Sequence, residues 1–179
     1  MAASNLSPIF RNVQDVSNDI LLQFSCGRDQ LDEFLRDDVR HYNQFGLTKT
    51  IIVFLEDFDG IAAYFSLSSD AVLLNDSEKF ELGLTLPIKS FPAVKITKLA
   101  VASSLQGQQI GSALIDLICG LVSIDHIAVR LLTVDAVNSP DVIGFYSRTG
   151  FLPSLQEERA RQHQSRETIL MFKDLYASN

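Results

Sequence analysis

The chain has 179 residues, enough for one domain with a substantial hydrophobic core and too few for two domains of ordinary size. Its 22 acidic residues outnumber 15 basic ones, and the formal charge of −7 disfavours broad electrostatic binding to nucleic acid or to an anionic membrane. We therefore expect a single domain over residues 1–179, with room for no more than a local basic patch.

The N-terminus and the cysteines indicate a cytoplasmic protein. The first residues lack a basic start followed by an apolar run, and no later segment approaches the ~20 apolar residues of a membrane span. Cys26 and Cys119 lack the spacing of metal ligands, and two free thiols are typical of a reducing compartment. Since His41, His126 and His163 are isolated, we expect structural or surface roles for them and no metal site.

The first third of the chain predicts a strand followed by a helix. Apolar residues mixed with polar ones over residues 8–24 indicate an opening strand with an irregular lead. From Asp29 onward, apolar residues recur three or four positions apart, with Asp29 as the N-cap and Gly46 as the stop. This pattern predicts an amphipathic helix whose charged residues form a solvated face.

A hairpin and a long connection follow. Residues 49–55 and 61–68 are rich in β-branched and aromatic residues, and Asp59-Gly60 between them predicts the turn. Residues 73–92 lack a clean period and contain two prolines, so we expect a long connection with at most one helical turn. Connections of this length are often functional.

The strand predicted over residues 94–101 has an irregular pattern. Apolar residues occupy positions 94 and 96 and then 99 and 101, so the two-residue alternation slips by one at Thr97-Lys98. A β-bulge would bring both pairs to one face and would open a cleft beside Leu99–Val101, whereas a simple two-sided strand is the alternative.

A strand-to-helix junction follows directly. The hydrophobic period changes from strand to helix across Gln106–Gln109, and a helix is predicted from there to about Val122. The first turn of a helix has unpaired N–H groups and a partial positive charge, and Gly107 and Gly111 allow close approach to the backbone. This junction is therefore either a phosphate-binding site or merely a turn.

The C-terminal part predicts a buried strand, a short helix and two closing strands. Residues 128–135 form a near-continuous apolar run, which is typical of a central strand. Asn138 or Ser139 caps the helix that ends at Gly150. The closing strands are predicted at residues 151–152 and 167–172, on either side of the polar stretch 156–166.

Two separated motifs resemble the GCN5-related N-acetyltransferase (GNAT) superfamily. The first, Gln106-Gly-Gln-Gln-Ile-Gly111, matches the signature of Gln or Arg, two residues, Gly, one residue, and Gly or Ala, except that Gln109 replaces the first glycine. The second, Gly144-Phe-Tyr-Ser-Arg-Thr-Gly-Phe151, has the Phe-Tyr-x-x-x-Gly-Phe ending at the expected distance. Further similarity, to the GNAT subgroup that includes toxins acetylating aminoacyl-tRNA, lies in residues 24–35, 64–68 and 91–94.

The resemblance covers roughly residue 20 to the end and implies an α/β fold. That fold is a mixed, mostly antiparallel sheet of about six or seven strands with a bulged central strand, flanked by helices. The resemblance also implies acetyl-CoA as the acyl donor and no metal. The residues that it places along the pantetheine and around the pyrophosphate are Leu99, Ala100, Val101, Gln106, Gly107, Gln108, Gln109, Ile110, Gly111 and Ser112.

Two further residues match functional positions of the family. Tyr146 matches the tyrosine that can protonate the leaving thiolate, and its alternative role is an amphipathic wall of the CoA channel. A phenol with a pKa near 10 can supply a proton to a thiolate of similar basicity. Asn138 matches a position that often contacts CoA, and its alternative role is a helix cap.

The general base is not assigned by the resemblance. Where many family members carry a glutamate, this strand has Lys95, Thr97 and Lys98. A base can come from Glu56, Asp57 or Asp135, or water can serve if the acceptor amine has a low pKa. Since an α-amine has a pKa of about 8, the missing carboxylate favours an α-amino or similarly acidic acceptor.

Three functions are compatible with the sequence. The first is acetyl transfer from acetyl-CoA to a primary amine of a small molecule, peptide or protein, by direct attack. The second is toxin-like acetylation of aminoacyl-tRNA, which the acidic charge disfavours because acidic residues interrupt the basic ones in the polar stretch; these residues are Arg159, Arg161 and Arg166 with Glu157, Glu158 and Glu167. The third is a CoA-binding module without catalysis, which Gln109 favours and Tyr146 opposes. Family members are often homodimers, but the sequence locates no interface and no antitoxin partner.

Overall fold

The computed structural model describes residues 7–123, 127–154 and 166–177. These residues group into two compact units. The first unit comprises the described residues up to Ser68 together with Thr97–Ala113, and the second comprises Ser69–Ile96 and the described residues from Leu114 onward. The single domain over residues 1–179 stays a prediction.

The described residues contain seven strands: β1 (Pro8–Asn12), β2 (Lys49–Leu55), β3 (Phe58–Leu73), β4 (Ser90–Val101), β5 (Leu131–Val137), β6 (Leu152–Pro153) and β7 (Thr168–Asp174). They form one sheet in the order β1-β2-β3-β4-β5-β7-β6. β4 and β5 run parallel, whereas β1 with β2, β2 with β3, β5 with β7 and β6 with β7 run antiparallel. The predicted mixed, mostly antiparallel sheet of six or seven strands flanked by helices is confirmed.

The helices in the described part of the chain are α1 (Asn18–Leu22), α2 (Asp29–Glu33), α3 (Val39–Gln44), α4 (Asp76–Glu81), α5 (Ile110–Val122) and α6 (Pro140–Arg148). Helix α5 lies in the crossover between β4 and β5, which two parallel strands require. The buried run Leu131–Val134 confirms the prediction of a central strand there.

The helix predicted from Asp29 contains an irregular turn. A π-helical turn at Phe34–Asp38 joins α2 to α3, and the chain leaves α3 before Gly46, whose φ of 70° makes the predicted stop. Arg28, not Asp29, occupies the N-cap position of α2, so that part of the prediction is wrong. The wider turn keeps Leu35 and Val39 on one buried face in the core of the first unit.

The hairpin is confirmed, but its turn lies earlier than predicted. Leu55 pairs with Phe58, so Glu56 and Asp57 make the turn and Gly60 lies inside β3 with a φ of 92°. Phe58 packs against the core of the first unit, and burial of this ring favours its inclusion in the strand. The predicted Asp59-Gly60 turn is therefore wrong.

The buried residues of β4 do not follow the apolar pattern of the sequence. Phe91, Ala93, Ile96 and Ala100 are buried, whereas Val94, Leu99 and Val101, which a bulge would bring to one face with Ile96, are half-buried. The inward face changes phase between Ala93 and Ile96 rather than at Thr97-Lys98. The small side chain of Ala100 is buried in the core of the first unit. A pattern based on hydrophobicity would favour the larger neighbours Leu99 and Val101 for this position. A bulge in this strand stays a prediction.

Candidate functional site

The predicted phosphate-binding turn lies at the surface of the first unit. Gln106 is extended, Gly107 has a φ of 79° and Gln109 has a φ of 63°, after which α5 begins. Gln106–Gln109 are all exposed, and a Cβ added at Gly107 would meet no atom within 4 Å. The backbone of this turn is therefore accessible to a ligand.

The start of α5 suits an anion. Its first i to i−4 hydrogen bond joins the Ala113 amide to the Gln109 carbonyl at 3.0 Å, so the amides before Ala113 have no such partner in the helix. The first turn contains no acidic residue. Because a helix N-terminus carries about half a positive charge, these amides suit an anionic group such as a phosphate.

The Gln106 side chain points into the protein. Its Nε2 donates to the Cys26 carbonyl at 2.9 Å and to the Val101 carbonyl at 3.0 Å. This side chain therefore ties the turn to the end of β4 and to a loop 80 residues earlier in the chain. Because the side-chain amide of Gln106 is used within the protein, Gln106 would contribute to ligand binding through its backbone.

The strand before the turn supplies the predicted pantetheine-binding segment. Regular pairing of β4 with β5 runs from Ala93 opposite Leu131 to Ile96 opposite Val134, although β4 continues to Val101. Leu99 and Val101 are half-buried, whereas Ala100 belongs to the core. The Val101 carbonyl accepts the Gln106 bond but has a second lone pair.

Tyr146 lies on α6 in the second unit and is 8% exposed. Its ring makes edge-on contacts with Phe145 and Phe151, at centroid distances of 5.0 and 5.3 Å. Burial raises the pKa of this phenol, so the hydroxyl keeps its proton throughout the physiological range. Both predicted roles, acid and channel wall, stay predictions.

Asn138 does not cap α6. Ser139 occupies the N-cap position, so the alternative of Asn138 as the cap is wrong. The Asn138 side chain instead donates to the Arg166 carbonyl at 3.0 Å, and its backbone amide donates to the Glu167 carbonyl at 2.8 Å. These bonds hold the end of β5 beside the start of β7. The predicted CoA contact stays a prediction.

The second unit contains a cleft of about 650 Å³. Five charged residues line it: Asp70, Lys95, Asp135, Arg166 and Glu167. The Lys95 ammonium lies 2.9 Å from an Asp135 oxygen and 3.7 Å from an Asp70 oxygen. Asp70 also accepts a hydrogen bond of 2.6 Å from the buried Thr133 hydroxyl. Burial alone would lower the pKa of Lys95, but the two carboxylates raise it overall, which keeps this side chain a cation.

Of the three carboxylates considered as the general base, one lines this cleft. Asp135 lines it, whereas Glu56 and Asp57 are exposed in the hairpin turn of the first unit. The sequence did not indicate Asp70, because β3 was predicted to end at residue 68. The only available signal was that Asp70 continues the alternation of that strand beyond Ser68.

The described residues contain neither a cluster of metal ligands nor a helix that could cross a membrane. Within residues 7–123, 127–154 and 166–177, no three His, Cys, Asp or Glu side chains cluster as metal ligands. No helix in those ranges is both long and apolar enough to cross a bilayer. Some predicted residues lie outside the described residues: His126, His163, Arg159, Arg161, Glu157 and Glu158. His41 is exposed.

No family model matches the sequence. Solved structures do match it over nearly the whole chain. A crystal structure of a bacterial toxin is 18% identical with a TM-score of 0.76, and covers 95% of this chain and 92% of its own. The toxin AtaT in complex with acetyl-methionyl-tRNAfMet is 20% identical with a TM-score of 0.73, over 94% and 95% of the two chains. AtaTR bound with acetyl-CoA is 19% identical with a TM-score of 0.64, over 94% of each.

These likenesses concern the fold. At TM-scores of 0.64–0.76 over nine-tenths of each chain, this protein shares the fold of those toxins. The fold predicted from the two motifs, that of the GNAT superfamily, is therefore confirmed.

Proposed function

We propose that this protein is an acetyl-CoA-dependent N-acetyltransferase that transfers the acetyl group to a primary amine. The observation that carries the proposal is the exposed turn Gln106–Gln109, which presents unpaired amides at the start of α5 with no acidic residue in its first turn. The presence of acetyl-CoA in an AtaTR structure of the same fold supports this assignment.

In this reaction, different residues of the chain would bind the donor and supply the proton. Bound acetyl-CoA supplies an acetyl thioester that an amine can attack directly. The amides from Gly107 to Ser112 hold the pyrophosphate, and the backbone of Leu99 and Val101 lies along the pantetheine. Tyr146 is the proposed donor of a proton to the leaving thiolate, because a phenol is protonated at neutral pH even at its ordinary pKa near 10. Burial raises the pKa of Tyr146, which makes the hydroxyl a weaker acid than a free phenol.

The cleft of the second unit is the proposed place for the acceptor. An ammonium must lose a proton before it attacks, and Asp135 is the carboxylate of the three candidates that lines a cleft. Replacing Asp135 with asparagine keeps its shape but removes the base, so we expect kcat to fall by about tenfold or more. The Kd for acetyl-CoA should not change.

The donor site is tested by placing a negative charge on the turn. We expect Gln108→Glu to weaken binding of acetyl-CoA by about tenfold, the scale of a charge near a helix N-terminus combined with repulsion between anions. Binding of acetylpantetheine, which lacks the pyrophosphate, should not change. The matched control is Gln14→Glu, which adds the same charge at another exposed glutamine of the same unit.

Isothermal calorimetry measures both ligands. If wild-type protein fails to bind acetyl-CoA, the proposed function is wrong. If Gln108→Glu and Gln14→Glu weaken binding equally, the pyrophosphate does not lie on this turn.

A second candidate acceptor is the α-amino group of an aminoacyl-tRNA. AtaT, which shares this fold, was solved with acetyl-methionyl-tRNAfMet, and an α-amine needs less help from a base than a lysine. Against it stands the formal charge of −7. Incubation with acetyl-CoA and charged tRNA, followed by analysis of the aminoacyl group, decides between this acceptor and free amines.

The compartment, a protein partner and the oligomeric state complete the proposal. We place the reaction in the cytoplasm, because both cysteines are free thiols. AtaT has also been solved with the C-terminus of its antitoxin AtaR, and a protein partner of that kind belongs to the second candidate. Size-exclusion chromatography with light scattering tests for the homodimer that is frequent in the family.

A further inference from the structure

Asp32 lies on α2, outside the predicted site, yet it organises a loop that touches the turn. Its Oδ1 accepts a hydrogen bond of 2.8 Å from the Cys26 amide, and its Oδ2 accepts one of 2.9 Å from the Ser25 hydroxyl. The Ser25 hydroxyl in turn accepts a bond of 3.3 Å from the Gly27 amide. One carboxylate thus fixes the conformation of the loop Ser25–Gly27.

That loop holds the turn by three hydrogen bonds. The Ser25 carbonyl accepts from the Ser103 amide at 3.0 Å and from the Ser103 hydroxyl at 3.1 Å. The Cys26 carbonyl accepts from Nε2 of Gln106 at 2.9 Å. The two carbonyls therefore hold the residues on either side of Ser104 and Leu105, immediately before the exposed amides.

The packing and the charge support a fixed arrangement. Gly27 has a φ of 76°, and a Cβ added there would come within 3.5 Å of the Ser103 hydroxyl, so the loop passes close to the turn. Burial alone would raise the pKa of Asp32, but hydrogen bonds from Cys26 and Ser25 lower it overall. Asp32 is therefore ionised at neutral pH, where its hydrogen bonds are of the stronger, charge-assisted kind.

We propose that Asp32 is a positioning residue for the donor site, which acts through the Ser25–Gly27 loop to fix the amides of the Gln106–Gln109 turn. The inference rests on the proposed function in that it assigns the pyrophosphate to this turn. In this role, Asp32 acts through the loop and not by contact with the ligand. Its removal changes affinity for the pyrophosphate end of acetyl-CoA and leaves the chemistry at the acetyl group intact.

The test compares Asp32→Ala with two matched variants. Asp32→Asn keeps acceptor and polar groups of the same shape, and Glu33→Ala removes a charge from the neighbouring exposed position of the same helix. We expect Asp32→Ala to raise the Kd for CoA about tenfold, the scale of one hydrogen bond to a charged group. Glu33→Ala should stay within about twofold of wild type. Asp32→Asn, which keeps one accepting oxygen without the charge, should have a Kd between those of wild type and Asp32→Ala, and the Kd for acetylpantetheine should change in none of them.

A double-mutant cycle tests the route. If the effect passes through the Cys26 carbonyl to Gln106, then Asp32→Ala should raise the Kd for CoA less in a Gln106→Ala background than in wild type. Full additivity of the two effects would exclude this route. An equal loss of affinity for CoA and acetylpantetheine would indicate a general structural role and would overturn the proposal.

Amide hydrogen exchange of the ligand-free protein separates this proposal from the proposed function. Asp32→Ala should accelerate exchange of the Ser103 amide, which donates to the Ser25 carbonyl, and of the Leu105 amide that follows it, whereas Glu33→Ala should not. This outcome needs no binding of CoA. Unchanged exchange in Asp32→Ala would refute the positioning role, whereas a failure of wild-type protein to bind CoA would refute the proposed function alone.

Discussion

Among the residues that the structure describes, Gln109 is the one non-glycine residue with a positive φ. Replacing it with glycine should stabilise the fold. At a φ of 63°, its Cβ meets the steric strain of the left-handed region, which costs an L residue about 1–2 kcal/mol. Glycine removes that strain but loses about 0.5–1 kcal/mol more backbone entropy on folding than alanine does. We therefore expect Gln109→Gly to raise the free energy of unfolding by about 0.5–1 kcal/mol.

Gln108→Gly is the matched control for this prediction. Gln108 is also an exposed glutamine of the same turn, but it is not among the residues with positive φ. Its replacement gains no relief of strain and loses the bond from its side chain to the Ser104 carbonyl at 3.3 Å. We expect it to lower the free energy of unfolding by about 0.5–1 kcal/mol.

Urea unfolding of the three proteins measures both effects, and thermal unfolding should shift by about 2–4 °C per kcal/mol for a chain of this length. The reasoning is refuted if both glycine variants are destabilised equally, because the strain at position 109 would then contribute nothing. The Kd for acetyl-CoA provides a second readout. Gln109→Gly should bind at least as tightly as wild type, since it restores the glycine of the family signature without moving the amides.

Three further predictions concern two buried tyrosines and a buried cysteine. Tyr146→Phe should lower kcat about tenfold or more and leave the Kd for acetyl-CoA unchanged, as steady-state kinetics and calorimetry can measure. Because burial raises the pKa of Tyr64 and Tyr146, the folded state keeps both phenols protonated above pH 10, where the unfolded chain ionises. The free energy of unfolding should therefore fall as the pH rises above about 10, and Tyr64→Phe should reduce that slope in urea titrations. Burial, together with Asp32, raises the pKa of the Cys26 thiol to about 11, so at about pH 8 it should react with a disulfide reagent only after unfolding.

The elements that the sequence predicted well are those with a strong local signal. The near-continuous apolar run of β5 predicted a buried central strand, and Leu131–Val134 are all buried. The change from a strand period to a helical period across Gln106–Gln109 predicted α5 to within one residue of its start at Ile110. In both elements, the residues that decide the structure lie next to one another in the chain, so a local pattern is sufficient.

The errors arose where tertiary contacts decide the structure. In β4, the positions of the large apolar residues favoured one face with Val94, Ile96, Leu99 and Val101, but the buried residues are Phe91, Ala93, Ile96 and Ala100. In the hairpin, Asp59-Gly60 is a strong turn signal, yet the packing of Phe58 places the turn at Glu56–Asp57. Local propensity is a weak prior, and burial of a ring or the fit of a small residue overrides it.

The support of the donor site by Asp32 could not be predicted from the sequence. Asp32 was assigned to a solvated helix face, because charged residues alternate there with apolar ones. The carbonyls of its partners Ser25 and Cys26 accept hydrogen bonds from the side chains of Ser103 and Gln106, about 80 positions later in the chain. Such bonds require no particular residue on the carbonyl side, so they leave no pattern in one sequence.

The departure of Gln109 from the family signature bears on the three functions considered. On the sequence alone, Gln109 was the main support for a CoA-binding module without catalysis, because a side chain in place of glycine was expected to disturb the turn. At a φ of 63°, however, Gln109 has the conformation that glycine adopts easily, and its amide precedes α5 as a glycine amide would. The substitution therefore costs strain rather than a hydrogen-bond donor. Since stability rather than binding bears that cost, the non-catalytic function loses its main support.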